Sequence, residues 1–194
     1  MNFFKKLFSK TQTENIETPS SEPAENQIKE IITTTYFEER YQLQDLYEDP
    51  STLEGCLKMI ESYFLDNKLE MREASPVNHP ANLDQTMDDG FGFKIYCSAF
   101  QLDEQQATFF LAMGFSDFMI KEFGFQLYKD NEPEFPLRGM TLKYNKNGAL
   151  LSIYPYEYAS KVLNYEAEFL SLYEKIKPTL ENMPSVDDVM DKYK

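Results

Sequence analysis

Residues 141–155 read TLKY, NKNG, ALLSIYP: two short runs of β-branched, aliphatic and aromatic residues around an Asn147-Gly148 step. Asn-Gly supplies positive φ at little steric cost, as tight hairpin turns require, so the two runs should pair antiparallel. Pro155 ends the second run, because it has no N–H to give a further ladder bond. A lone hairpin is marginal in water and needs more strands and a layer covering its apolar face.

The chain offers both. FQLYK at 125–129 reads as a strand or its edge, and KLEMREA at 68–74 alternates apolar and polar residues. FGFKIYCSAF at 91–100 alternates too, with Phe91, Phe93, Ile95, Cys97 and Ala99 on one face. QATFFLAM at 106–113 reads as a buried strand from its Phe pair and threonine, with the end of a helix from Asp103 as the alternative. Residues 28–48 suit a strand followed by a helix with Phe37, Tyr41 and Tyr47 inward, or one helix from about Gln27. Further helices are predicted over 52–66, from a Ser51…Glu54 capping box, and over 117–123, closed by Gly124. Another runs from Tyr156 to Leu180, broken by Pro178, and a short one closes the chain over 185–193. Strands cluster in the middle with helices on both sides and no regular βαβα alternation. The fold class is therefore α+β: a mainly antiparallel sheet packed by several helices, behind a flexible N-terminal segment.

A length of 194 residues allows one ordinary domain and a tail. The first ten residues, MNFFKKLFSK, stand apart. In a helix Phe3, Phe4, Leu7 and Phe8 share a face, with Lys5, Lys6 and Lys10 beside or opposite it. Interrupting lysines and the lack of a cleavage site argue against a secretory signal. Residues 11–27 are polar, with two prolines and four glutamates, and read as a disordered linker. The domains are thus a basic amphipathic segment at 1–10, a linker at 11–27 and a single acidic domain at 28–194.

Acids outnumber bases 33 to 19, for a net charge of −14. The tip carries +3, which leaves −17 on the remainder. Nucleic acid is a poor partner for such a surface, because phosphate binding needs clustered cations. Two cysteines, Cys56 and Cys97, are too few for a disulfide framework and sit on apolar faces as buried thiols. No apolar run approaches the roughly 20 residues of a membrane span. The excess of lysine over arginine, 16 to 3, fits an AT-rich bacterial source.

Catalytic signatures are sparse. No phosphate-cradling glycine loop, GxSxG, HExxH or CxxC occurs, so no catalytic residue, metal or cofactor is assigned. His79, Asp84, Asp88 and Asp89 fall in a predicted loop from Ser75 to Gly90, where histidine and carboxylates can bind metal or exchange protons. They define the alternative of a metal-dependent hydrolase. A second group, Asp130, Glu132, Glu134 and Arg138, lies beside the tyrosines Tyr144, Tyr154, Tyr156 and Tyr158. Tyrosine is amphipathic and common at interface centres, so these eight residues are read as a contact patch.

The favoured function is a non-enzymatic acidic interaction protein of the cytoplasm, an adaptor or an inhibitor of a basic protein partner. It would share the charge logic of small acidic immunity proteins. A further alternative is a peripheral protein at the inner face of the membrane, anchored through Phe3, Phe4, Lys5, Lys6, Leu7, Phe8 and Lys10.

Overall fold

The computed structural model describes residues 36–146 and 149–184. The tip 1–10, the linker 11–27, the strand proposed from Ile28, the turn residues Asn147 and Gly148 and the closing helix 185–193 lie outside these bounds. Among the described residues the fold is α+β, with a four-stranded antiparallel sheet in the order β1-β2-β3-β4. β1 is Tyr41–Gln44, β2 Gln126–Asp130, β3 Met140–Lys146 and β4 Ala149–Ile153. The helices are α1 (Pro50–Asn67), α2 (Pro80–Asp88), α3 (Phe93–Ala99), α4 (Glu104–Phe123), α5 (Pro155–Leu163) and α6 (Phe169–Glu181). Lys146 pairs with Ala149, so the hairpin from β3 to β4 closes over two residues, as Asn-Gly predicts.

Register sorts the two faces of the sheet. Leu127 lies opposite Leu142, and Leu142 opposite Ile153, all three buried. This face meets α4 and α5, with Phe125 and Tyr144 rings 5.6 Å apart. The other face carries Asp130, which accepts two hydrogen bonds from the Arg40 guanidinium, each 3.0 Å. Beside that pair Lys143 places its ammonium 3.8 Å from the Tyr41 ring centroid and donates to Ser152 Oγ. Lys143 is buried, and burial lowers its pKa.

α4 is the central helix, packed by α1, α2, α3 and α5. Asp103 caps it through a capping box with Gln106, and Gly124 ends it at φ +74, in the left-handed region glycine tolerates. The strand expected at 106–113 and the helix start at Ser116-Asp117 are both interior turns of this one helix. Its residues from Ala107 to Met119 are buried almost all round, which erases the one-sided periodicity that marks a surface helix. Gly114 lets α1 approach: a Cβ there would sit 2.9 Å from Ile60 Cδ1.

Other expectations are corrected. In the described part of 28–48 the order is reversed, with residues 36–40 helical and β1 following. KLEMREA forms no strand. Its backbone is held instead by α2 side chains: Gln85 accepts from Arg72 N and donates to Glu70 O, while Asn82 does the same with Glu73. The loop predicted from Ser75 to Gly90 contains α2. The strand expected at 91–100 is α3, because Phe93 and Cys97, four apart, satisfy a period of 2 and one of 3.6 equally. α1 starts at Pro50 rather than through a Ser51 capping box, with proline preset for the first helical position. Asp49 accepts from Ser51 Oγ and Thr52 Oγ1. The helix predicted over 156–180 is two helices, and Pro178 lies within α6.

Cys56 and Cys97 are buried, and burial pushes both thiols up to about 12. Neither should react with an aromatic disulfide reagent in the native protein at pH 8, and both should react in denaturant. Rapid native labelling of either would contradict this packing.

Candidate functional site

The eight residues read as a contact patch do not converge. Arg138 gathers one part of them: it donates to Glu134 at 3.0 Å and to Glu157, and its guanidinium lies 4.9 Å from the Tyr154 ring centroid. Lys161 donates to Glu157 as well, and these two cations hold the Glu157 carboxyl below the ordinary range. This network ties the 3-10 turn Pro136–Arg138 to α5. Asp130 is buried on the far face of the sheet, paired with Arg40, and accepts from Glu132 N. Tyr156 is buried and donates to Gln105 O, Tyr158 donates to Glu168 O beside Phe169, and Tyr144 packs on Phe125. Tyr144, Tyr156 and Tyr158 thus join the sheet and helices from within.

The histidine and aspartates expected to share a loop are also divided. His79 caps α2, its Nδ1 accepting from Ala81 N, with its ring between Phe118 and Tyr173. Asp84 is buried and accepts from the N–H groups of Phe169 and Leu170, so it caps α6 from a distance. Asp88 and Asp89 pair with Arg72. Among the described residues no group of three or more His, Cys, Asp or Glu side chains is placed to hold a metal ion.

The structure brings together a set the sequence left unread. A cleft of about 510 Å³ opens between β1, the following loop, β2 and the start of β3. Its apolar floor is Leu46, Met113, Leu127 and Met140, with Gln42 and Gln44 along one wall. Asp45, Glu48 and Asp49 line it from the loop, against Lys129 as the one lining cation among the described residues. Hydrogen bonds from Ser51 and Thr52 hold Asp49 below the ordinary carboxylate range, so it is charged at neutral pH. That carboxylate also sits at the N-terminus of α1, where it meets the helix dipole and leaves little attraction for an outside anion. The Asp45 carboxylate accepts from Tyr47 N. The loop is pinned from below: Tyr47 donates to buried Asp117, which also accepts from Asn78 and Lys121.

These groups suit one kind of guest. The apolar floor can accept an aliphatic stem and the lining carboxylates a cationic head, which is how lysine and arginine are built. The acids 45, 48 and 49 were visible as residues, but only tertiary contacts through Asp117 set them around a cavity. No protein-family model, no curated protein and no solved structure matches this chain.

Proposed function

We propose that this is a non-catalytic interaction protein, an adaptor or inhibitor that receives a lysine- or arginine-bearing segment of a basic protein partner in the β1–α1 cleft. The observation that carries the reading is a cavity of about 510 Å³ with an apolar floor, lined by Asp45, Glu48 and Asp49 and, among the described residues, by Lys129 as its single cation. A net charge of −14 adds long-range attraction for a cationic surface and repels wrong partners of like charge. The setting is cytoplasmic, where two buried thiols and no disulfide are in keeping with the redox poise. No helix among the described residues is long and apolar enough to cross a membrane.

The test is affinity capture from the source cell at about 50 mM and about 500 mM salt, since screening shortens sharply over that range. Wild-type protein should retain a basic partner at the lower salt and lose most of it at the higher. The Asp45→Asn/Glu48→Gln double variant should bind that partner about tenfold or more weakly, about 1.4 kcal/mol or more in total for two partly desolvated pairs. Both side chains are exposed, so the fold should survive. A partner held equally by the variant, or equally at both salts, would remove the cleft from the account.

A further inference from the structure

A second surface, of different character, is left uncovered by the described residues. Around α3 and the end of α1, Leu65, Phe91, Ile95 and Phe100 are 69%, 75%, 65% and 53% exposed. They belong to one region: Tyr96 contacts the Phe100 ring at 5.1 Å and donates to Asp66, next to Leu65, while Tyr63 contacts Tyr96 and accepts from Gly92 N, next to Phe91. Four large apolar side chains exposed together are more than the scattered single residues normal for a soluble surface. Asp66, Asp103 and Glu104 lie beside them along the chain, and Lys94 is engaged by Glu104 at 2.6 Å. The region is apolar, and its margin is net anionic, with these three acids against Lys94 and the exposed Lys68. It does not share lining residues with the cleft.

One segment of this chain has the matching chemistry. Residues 1–10 carry four large apolar side chains, Phe3, Phe4, Leu7 and Phe8, and three lysines with no acid. A ten-residue helix is marginal by itself in water and gains from an apolar surface on which to form. The 25 residues from 11 to 35 separate it from the described fold, a length of chain whose reach is at most about 80–90 Å. Such a tether holds its end at about millimolar effective concentration near its own body, so even weak docking is well populated.

We propose that residues 1–10 dock in cis on the Leu65/Phe91/Ile95/Phe100 surface, with Lys5, Lys6 and Lys10 turned to its acidic margin. The occupant is the chain's own segment, chosen because apolar and charged groups match on both sides and the tether reaches. The cleft stays open to its own partner.

A nitroxide on a single introduced thiol, Ser9→Cys in the full chain, tests this, because Cys56 and Cys97 are buried and should not compete for the label. Docking in cis predicts about twofold or greater paramagnetic broadening of the Leu65, Phe91, Ile95 and Phe100 amides, unaffected by dilution. Phe91→Asp/Ile95→Asp should abolish the broadening with the circular dichroism unchanged, since both side chains are exposed. Lys5→Glu/Lys6→Glu should reduce it without touching the folded body. Mixing spin-labelled protein with isotope-labelled, nitroxide-free protein reports on other copies. Broadening in that mixture would assign the surface to a second copy and overturn the proposal. Broadening that is absent, or spread evenly over the body, would overturn it too, whether the tip then prefers a membrane or solvent.

Discussion

Asp84→Ala should lower the unfolding free energy by about 3 kcal/mol near pH 5, the cost of leaving one buried and one part-buried N–H donor without their acceptor. The carboxylate of Asp84 accepts from Phe169 N at 2.7 Å and from Leu170 N at 2.9 Å, joining α2 to the first turn of α6 across 85 residues of sequence. The helix dipole and both donors favour the charged form, while burial opposes it. Burial prevails and pushes the Asp84 carboxyl up to about 6 from an ordinary 3.8. Between these values the folded chain keeps a proton that the unfolded chain has released. The stability contributed by this group is therefore complete below about pH 4 and is lost as the pH rises through about 6. The variant lacks that dependence, so its penalty should shrink by about 2 kcal/mol between pH 4 and pH 7. Urea unfolding of both proteins across that range measures it directly. A penalty that grows with pH would show that the two N–H donors outweigh desolvation.

Asp84 also shows why part of the fold was hidden in the sequence. Residues 82–86 read NLDQT, polar enough for a loop, yet all five are buried in α2. Asn82 and Gln85 serve the backbone of 70–76, Thr86 donates to Leu83 O, and Asp84 serves α6. Their partners lie up to 86 residues away in sequence, and hydrophobic periodicity carries no trace of them. β2, β3 and β4 were legible because Leu127, Leu142 and Ile153 alternate with polar neighbours and the Asn-Gly step fixes the β3–β4 pairing. α4 was obscured by the opposite condition, since an apolar helix buried on every side has no polar face to set its period. The acids of the cleft were legible as charge, which pointed to a basic partner. The place where they converge was not, because it depends on a tyrosine and an aspartate 70 positions apart.

That pair gives the second large effect. Asp117 is 1% exposed and accepts from Tyr47 Oη at 3.0 Å, Asn78 Nδ2 at 3.0 Å and Lys121 Nζ at 2.9 Å. Asn78 also donates to Gly114 O, so the carboxylate fixes the loop before α2 against α4 as well as the loop after β1. Asp117→Ala strips the Tyr47 hydroxyl and one Asn78 donor of an acceptor, while Lys121, largely exposed, can turn to water. A loss of about 3 kcal/mol in stability follows, from two hydrogen bonds to a buried charge. Tyr47→Phe keeps the ring and Asp117, and should cost nearer 1 kcal/mol. Its effect on the cleft is more telling. Asp45 and Glu48 are unaltered, but the loop that carries them loses its anchor, so affinity for a cationic partner should fall several-fold with the salt dependence unchanged. Neutralising Asp45 and Glu48 directly should flatten the salt dependence together with the affinity, because fewer ion pairs remain to be screened. Binding titrations of the two variants at three salt concentrations separate position from charge. Identical salt slopes for wild type and Asp45→Asn/Glu48→Gln would mean that the cleft carboxylates do not meet the partner.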